Sequence, residues 1–214
     1  MSKIYCVGDS HSILYWYSNI IDHHWFGWAE LPVTMFKFIN SYIPLFNIVE
    51  RYKPGDVCKI NIKKNDFILF SLGWNDVQKN IYKYQQNNYK EFINIMVEKY
   101  FKKIIILTKE FQINPIISCI YPVTENTDGN VNGDINERIK YTIYMNERLQ
   151  FYANKFNILL FDIYNFISEN NRYKKEYMND DKSHLNYNNK ELMQFLENKL
   201  LNLCKNYTNP ILNL

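Results

Sequence analysis

Four short, unbroken apolar runs constrain the fold of this chain more than any other feature: Lys3–Val7 (KIYCV), Asp66–Leu72 (DFILFSL), Pro115–Ile120 (PIISCI) and Ile158–Ile163 (ILLFDI). Runs this short, without polar alternation, read as strands covered on both faces, as in a parallel sheet. The segments between them carry helical spacing: Ser12 to about Asp22, Tyr89 to Gln112, Asp134 to about Lys155, and a last stretch from Asn188 to about Cys204. Asp134 with Glu137, and Asn188 with Glu191, form capping patterns at the starts of the last two. His23 to Asp56, with three prolines and many aromatics, reads as short strands and loops. Strands alternating with helices predict an α/β domain around a parallel sheet, and no composition shift divides residues 1–214 into more than one domain.

Composition narrows the function classes. Hydrophobic residues make up 47% of the 214 and charged residues 22%, a globular balance. A net charge of +3, dispersed along the chain, is too weak a footprint for nucleic acid, and no such partner is expected. No run approaches the ~20 apolar residues of a membrane span, and no signal peptide is evident, so a cytoplasmic setting is expected. Cys6, Cys58, Cys119 and Cys204 are widely spaced and form neither a zinc motif nor a disulfide framework. His23-His24 has no companion cluster of ligands, so neither a metal nor a cofactor is expected.

In parallel α/β sheets, ligands bind outside the carboxyl ends of the strands. The polar residues there are Asp9, Ser10 and His11 after the first strand, and Gly73, Trp74, Asn75 and Asp76 after the second. Ahead of the final helix stand Asp180, Asp181, Lys182, Ser183 and His184. Together they offer the parts of an acyl-transfer site. A serine hydroxyl attacks an ester only when a base removes its proton, which suits Ser10 and His184. Asp181, three residues before His184, can orient the imidazole, and Asp180 can do so if the turn is one residue out. The Asn75 amide and the Ser10 backbone N–H can serve a tetrahedral oxyanion.

Gly8-Asp9-Ser10, the G-x-N-D block Gly73–Asp76 and the D-x-x-H block Asp181–His184 resemble, in order and spacing, the SGNH hydrolase superfamily, also called GDSL esterases and lipases. The resemblance covers nearly the whole chain. It implies a flavodoxin-like three-layer α/β/α fold with a central parallel sheet, and Ser10 as nucleophile, Asp181 and His184 as its partners, and Asn75 and Ser10 as oxyanion donors. There are two departures. His11 stands where the family usually has an aliphatic residue, and this GDSHS form resembles a branch associated with glycan-related genes. The family's second glycine block has no clear counterpart, so the third oxyanion donor is either Gly27 or a backbone N–H within Leu31–Met35, where Pro32 has none to give.

Each residue also has a plainer reading. Ser10 suits a helix N-cap, Asn75 a turn, and Asp181 and His184 a solvated loop. The three blocks in order favour the site. His11 reads as pocket-lining and Trp74 as an apolar wall for the substrate, suited to stacking on a sugar ring. The expected activity is hydrolysis of a small acyl ester, on a carbohydrate in the favoured case, through an acyl-enzyme on Ser10. Transfer of the acyl group to a glycan hydroxyl, or a non-catalytic binding module, are the alternatives.

Overall fold

The computed structural model describes residues 3–9, 18, 20–26, 34–40, 50–52, 56–58, 62–125, 131–179, 184–205 and 207–213. The predicted strands are present, trimmed by a residue or two: β1 (Ile4–Gly8), then β5 (Phe67–Ser71), β6 (Asn114–Ser118) and β7 (Leu159–Phe161). A further strand, β2 (Ile21–Phe26), lies against β1 in parallel register from Ile4↔Ile21 to Gly8↔Phe26. It corrects the expected helix at its end, since Ile21 and Asp22 belong to the strand. Residues 12–17 of that expected helix lie outside the described residues. Two short strands, β3 (Glu50–Tyr52) and β4 (Asp56–Cys58), pair antiparallel in the region read as mixed.

The five main strands are all parallel and run in the order β2-β1-β5-β6-β7. This is the flavodoxin-like order, in which the chain reverses its direction of travel across the sheet between its first and third strands. Here those strands are β1 and β5. Every residue of β1, β5 and β6 is buried, as expected of strands covered on both faces.

Helices supply the cover: α1 (Met35–Asn40), α2 (Ile81–Gln85), α3 (Tyr89–Phe111), α4 (Ile135–Phe156), α5 (Tyr164–Ile167) and α6 (Lys190–Cys204). The buried positions of α3, Ile93, Met96, Val97, Tyr100, Phe101, Ile104 and Leu107, recur every three or four residues and form one stripe. The α3 and α4 helices pack together through Tyr89–Tyr141 and Phe101–Tyr152 ring contacts, with centroids 4.9 and 5.8 Å apart. Asp134 caps α4 as its pattern predicts, accepting from the N–H groups of Asn136 and Glu137. The cap of α6 is Asn189, one residue beyond the predicted Asn188, and accepts from Leu192 N–H. Both α3 and α4 end on a left-handed residue, Gln112 and Asn157. Small strands β8 (Ser168–Glu169) and β9 (Arg172–Tyr173) form a hairpin, and Arg172 also bridges to Val123 beyond the end of β6.

Among the described residues, no helix is long and apolar enough to cross a membrane. Cys6, Cys119 and Cys204 are free thiols.

Candidate active site

The carboxyl ends of β1 and β5 meet side by side. Gly8 pairs with Ser71, and the Asp9 N–H extends the ladder one step by donating to the Ser71 carbonyl at 3.1 Å. The chain therefore delivers Asp9 to the switch point of the sheet, and residue 10 follows. A crevice there is lined by Asp9, Ser71, Leu72, Trp74, Cys119, Ile120 and Tyr121. A far larger hollow, of about 870 Å³, lies at the opposite end of the sheet, where Lys64, Asn65, Lys109, Gln112 and Asn114 line it. Size is a poor guide here, because Asp9 and Trp74 lie at the crevice instead.

After β5 the chain must turn sharply, and Gly73 makes this possible. Its φ of +119° suits glycine alone, and a Cβ there would sit 2.7 Å from Ile120 Cδ1 and 2.9 Å from Met145 Cε. Asn75 then opens a π-helical turn, Asp76–Asn80, in which the Ile81 N–H reaches back five residues to the Asp76 carbonyl. Such turns are rare and often mark functional sites. Asn75 is buried, and its side chain makes no capping bond to the turn it begins. Its amide is thus not committed to holding the turn.

The wider turn puts Asp76, Val77 and Gln78 all inside the protein. Asp76 accepts from the N–H of Met35 at 2.7 Å and, more weakly, of Phe36 at 3.4 Å, which fastens the start of α1. Burial pushes its carboxyl up to about 6, against the opposing pull of those two amides and of Asn80. Gln78 accepts from the buried Arg138 guanidinium, which also donates to the Thr124 carbonyl at 2.8 Å. The sequence places Asp76 at the strand end without giving it a role and gives no sign of Arg138, because their partners lie 41 and 60 residues away. The D of the G-x-N-D block was the only local signal for Asp76.

Trp74 is largely buried, and its indole N–H donates to the Pro122 carbonyl at 3.2 Å. It lines the crevice beside Asp9. His184 is half-buried, with its Nε2 closed off from solvent. Its own carbonyl accepts from Asn179 N–H at 2.8 Å, Met178 bridges to Leu185, and Asn186 N–H donates to the Tyr177 carbonyl at 2.9 Å. The loop carrying His184 is therefore stitched on both sides. The remaining candidates, Ser10, His11, Gly27 and Asp181, and Asp180, lie outside the described residues. Of the Leu31–Met35 alternatives for the third oxyanion donor, Met35 has its N–H committed to Asp76, residues 31–33 are also outside, and Thr34 is the described alternative that remains.

The sequence profile of the GDSL-like lipase/acylhydrolase family matches residues 37–194. The chain belongs to that family. The match takes in the Gly73–Asp76 and Asp181–His184 blocks and begins after Gly8-Asp9-Ser10. Among solved structures, a GDSL-like lipase from Bacteroides thetaiotaomicron superposes with a TM-score of 0.57 at 15% identity, covering 94% of this chain and 88% of that one. The carbohydrate acetylesterase Est24 from Sinorhizobium meliloti does so with a TM-score of 0.51 at 13% identity, covering 95% and 100%. At these identities the likeness is one of fold, and it bears out the SGNH hydrolase architecture. No curated protein matches the chain.

Proposed function

We propose that this acylhydrolase-family chain is a serine esterase that removes a small acyl group from a carbohydrate ester through an acyl-enzyme on Ser10. The supporting observation is the switch point itself: Asp9, the residue before Ser10 in sequence, bonds the end of β5, the strand that runs on into the turn carrying Asn75. In this reading His184 takes the Ser10 proton, Asp181 orients the imidazole, and the Ser10 N–H and the Asn75 amide hold the oxyanion. Collapse of the tetrahedral intermediate expels the sugar alcohol, which takes the proton back from His184, and water then releases the acid by the same route. Trp74 forms one wall of the acyl crevice, and His11 lines the approach. The whole chain acts as one domain. The carbohydrate preference draws on the Trp-rich first third of the chain and on the activity named for Est24.

Intact-mass analysis after treatment with a fluorophosphonate tests the nucleophile. One adduct on the wild type, absent from Ser10→Ala, is the expected result. An unmodified, folded wild type would leave a non-catalytic binding module. With labelling established, acetylated sugars are offered with and without a glycan acceptor. Free acetate is expected in both cases, whereas acylated acceptor formed at its expense would indicate a transferase.

A further inference from the structure

The chain buries the carboxylate of Asp76 at 1% exposure, and among the described residues no ion pair compensates it. Burying a carboxylate costs several kcal/mol unless strong donors surround it. An asparagine would avoid most of that cost if the only need were to cap α1. An amide, however, has one acceptor oxygen. Asp76 uses both of its oxygens, Oδ2 for Met35 N–H and Oδ1 for Phe36 N–H. An amide NH2 facing either backbone N–H would set donor against donor.

The bonded groups sit at informative places. Asp76 is the residue directly after Asn75, on the turn that Gly73 fixes. Met35 and Phe36 begin α1, whose own cap Thr34 accepts from Lys37 N–H at 3.0 Å. In sequence, α1 follows immediately on Gly27–Thr34, the stretch that holds the remaining candidates for the third oxyanion donor. Farther along α1, Phe38 packs edge-on to Phe70 of β5 and to Tyr100 of α3, so the helix has a firm seat once its start is held.

We propose that Asp76 is a positioning residue for the oxyanion side of the site, its carboxylate locking the start of α1 to the Asn75 turn so that the Asn75 amide keeps one geometry. The proposal rests on the acyl-enzyme reading. Asp76 touches no substrate. It acts through Asn75 on one side and through the first turn of α1 on the other. Small displacements matter because oxyanion donors work only when aimed at the atom where charge develops.

The test compares the wild type with Asp76→Asn and Asp76→Ala in three measurements: amide hydrogen exchange at Met35 and Phe36, the rate of fluorophosphonate adduct formation, and kcat and KM for p-nitrophenyl acetate. Both variants are expected to expose the two amides to exchange at least about tenfold faster. Labelling and kcat should fall by about 10- to 100-fold, with KM moving less than about threefold. A residue with only a structural role would lower the thermal midpoint and leave kcat of the folded fraction unchanged. Should the alanine variant not fold, the asparagine variant decides, since it keeps size and shape. Wild-type rates in a folded variant overturn the proposal, and so does unchanged exchange at both amides. A wild type that forms no adduct defeats the acyl-enzyme reading instead, and the exchange comparison then decides whether Asp76 anchors α1.

Discussion

Three residues around the β5 turn, Gly73, Asn75 and Asp76, make separable predictions. Asn75 is buried yet free of capping duty, so Asn75→Ala should leave the fold intact while cutting kcat by roughly 100- to 1,000-fold, the usual cost of one oxyanion donor, as steady-state kinetics would show. Gly73→Ala meets both a left-handed φ and two side chains within 3 Å of the new carbon, and should lose about 1–3 kcal/mol in urea unfolding. Asp76 gives a pH signature of the opposite sign from most carboxylates. Its folded-state value of about 6 stands above the ordinary 3.8, so the native protein holds its proton where the unfolded chain has released it. Stability from this group is then fully present below about pH 4 and lost as pH rises to about 6, by about 2–3 kcal/mol in all. Thermal scans from pH 4 to 7 should show the wild type losing ground to Asp76→Asn over that window.

At the scale of elements, caps and turns decide where helices begin and how they are joined. Asp134 accepts two N–H bonds at the start of α4, and Asp134→Ala should cost about 1 kcal/mol, read as a lowered thermal midpoint with kinetics unchanged. The predicted reciprocal box is only half built. Glu137 turns instead to Lys140, 2.6 Å away, and to Tyr141, because an exposed partner one turn along the helix is within easier reach. The π-helical turn is what allows one short stretch to serve α1 through Asp76 and α4 through Gln78. Asn189 replaced Asn188 as the cap of α6 because Asn188 is already held in a tight turn, its N–H donating to Asn186 Oδ1 at 2.9 Å. With asparagines at 186, 188 and 189, local chemistry does not choose among them.

At the scale of the whole molecule, the order β2-β1-β5-β6-β7 puts Asp9 and Asn75 at one end of the sheet and leaves the larger hollow at the other. Lys64→Ala and Lys109→Ala, both at that far end, should leave kcat/KM for p-nitrophenyl acetate within about twofold of wild type. The buried strands, the long helices and the cap at Asp134 were legible in the chain as written, because each depends on residues a few positions apart. So were the blocks at Gly8, Gly73 and His184, whose spacing carries the family. The strand β2 was not, since Ile21–Phe26 lacks a continuous apolar run and is defined by its pairing with β1. Nor were the roles of Asp76 and Arg138, which come from partners distant in sequence. A buried charge is explained only by the groups that folding brings against it, and no local pattern records which those will be.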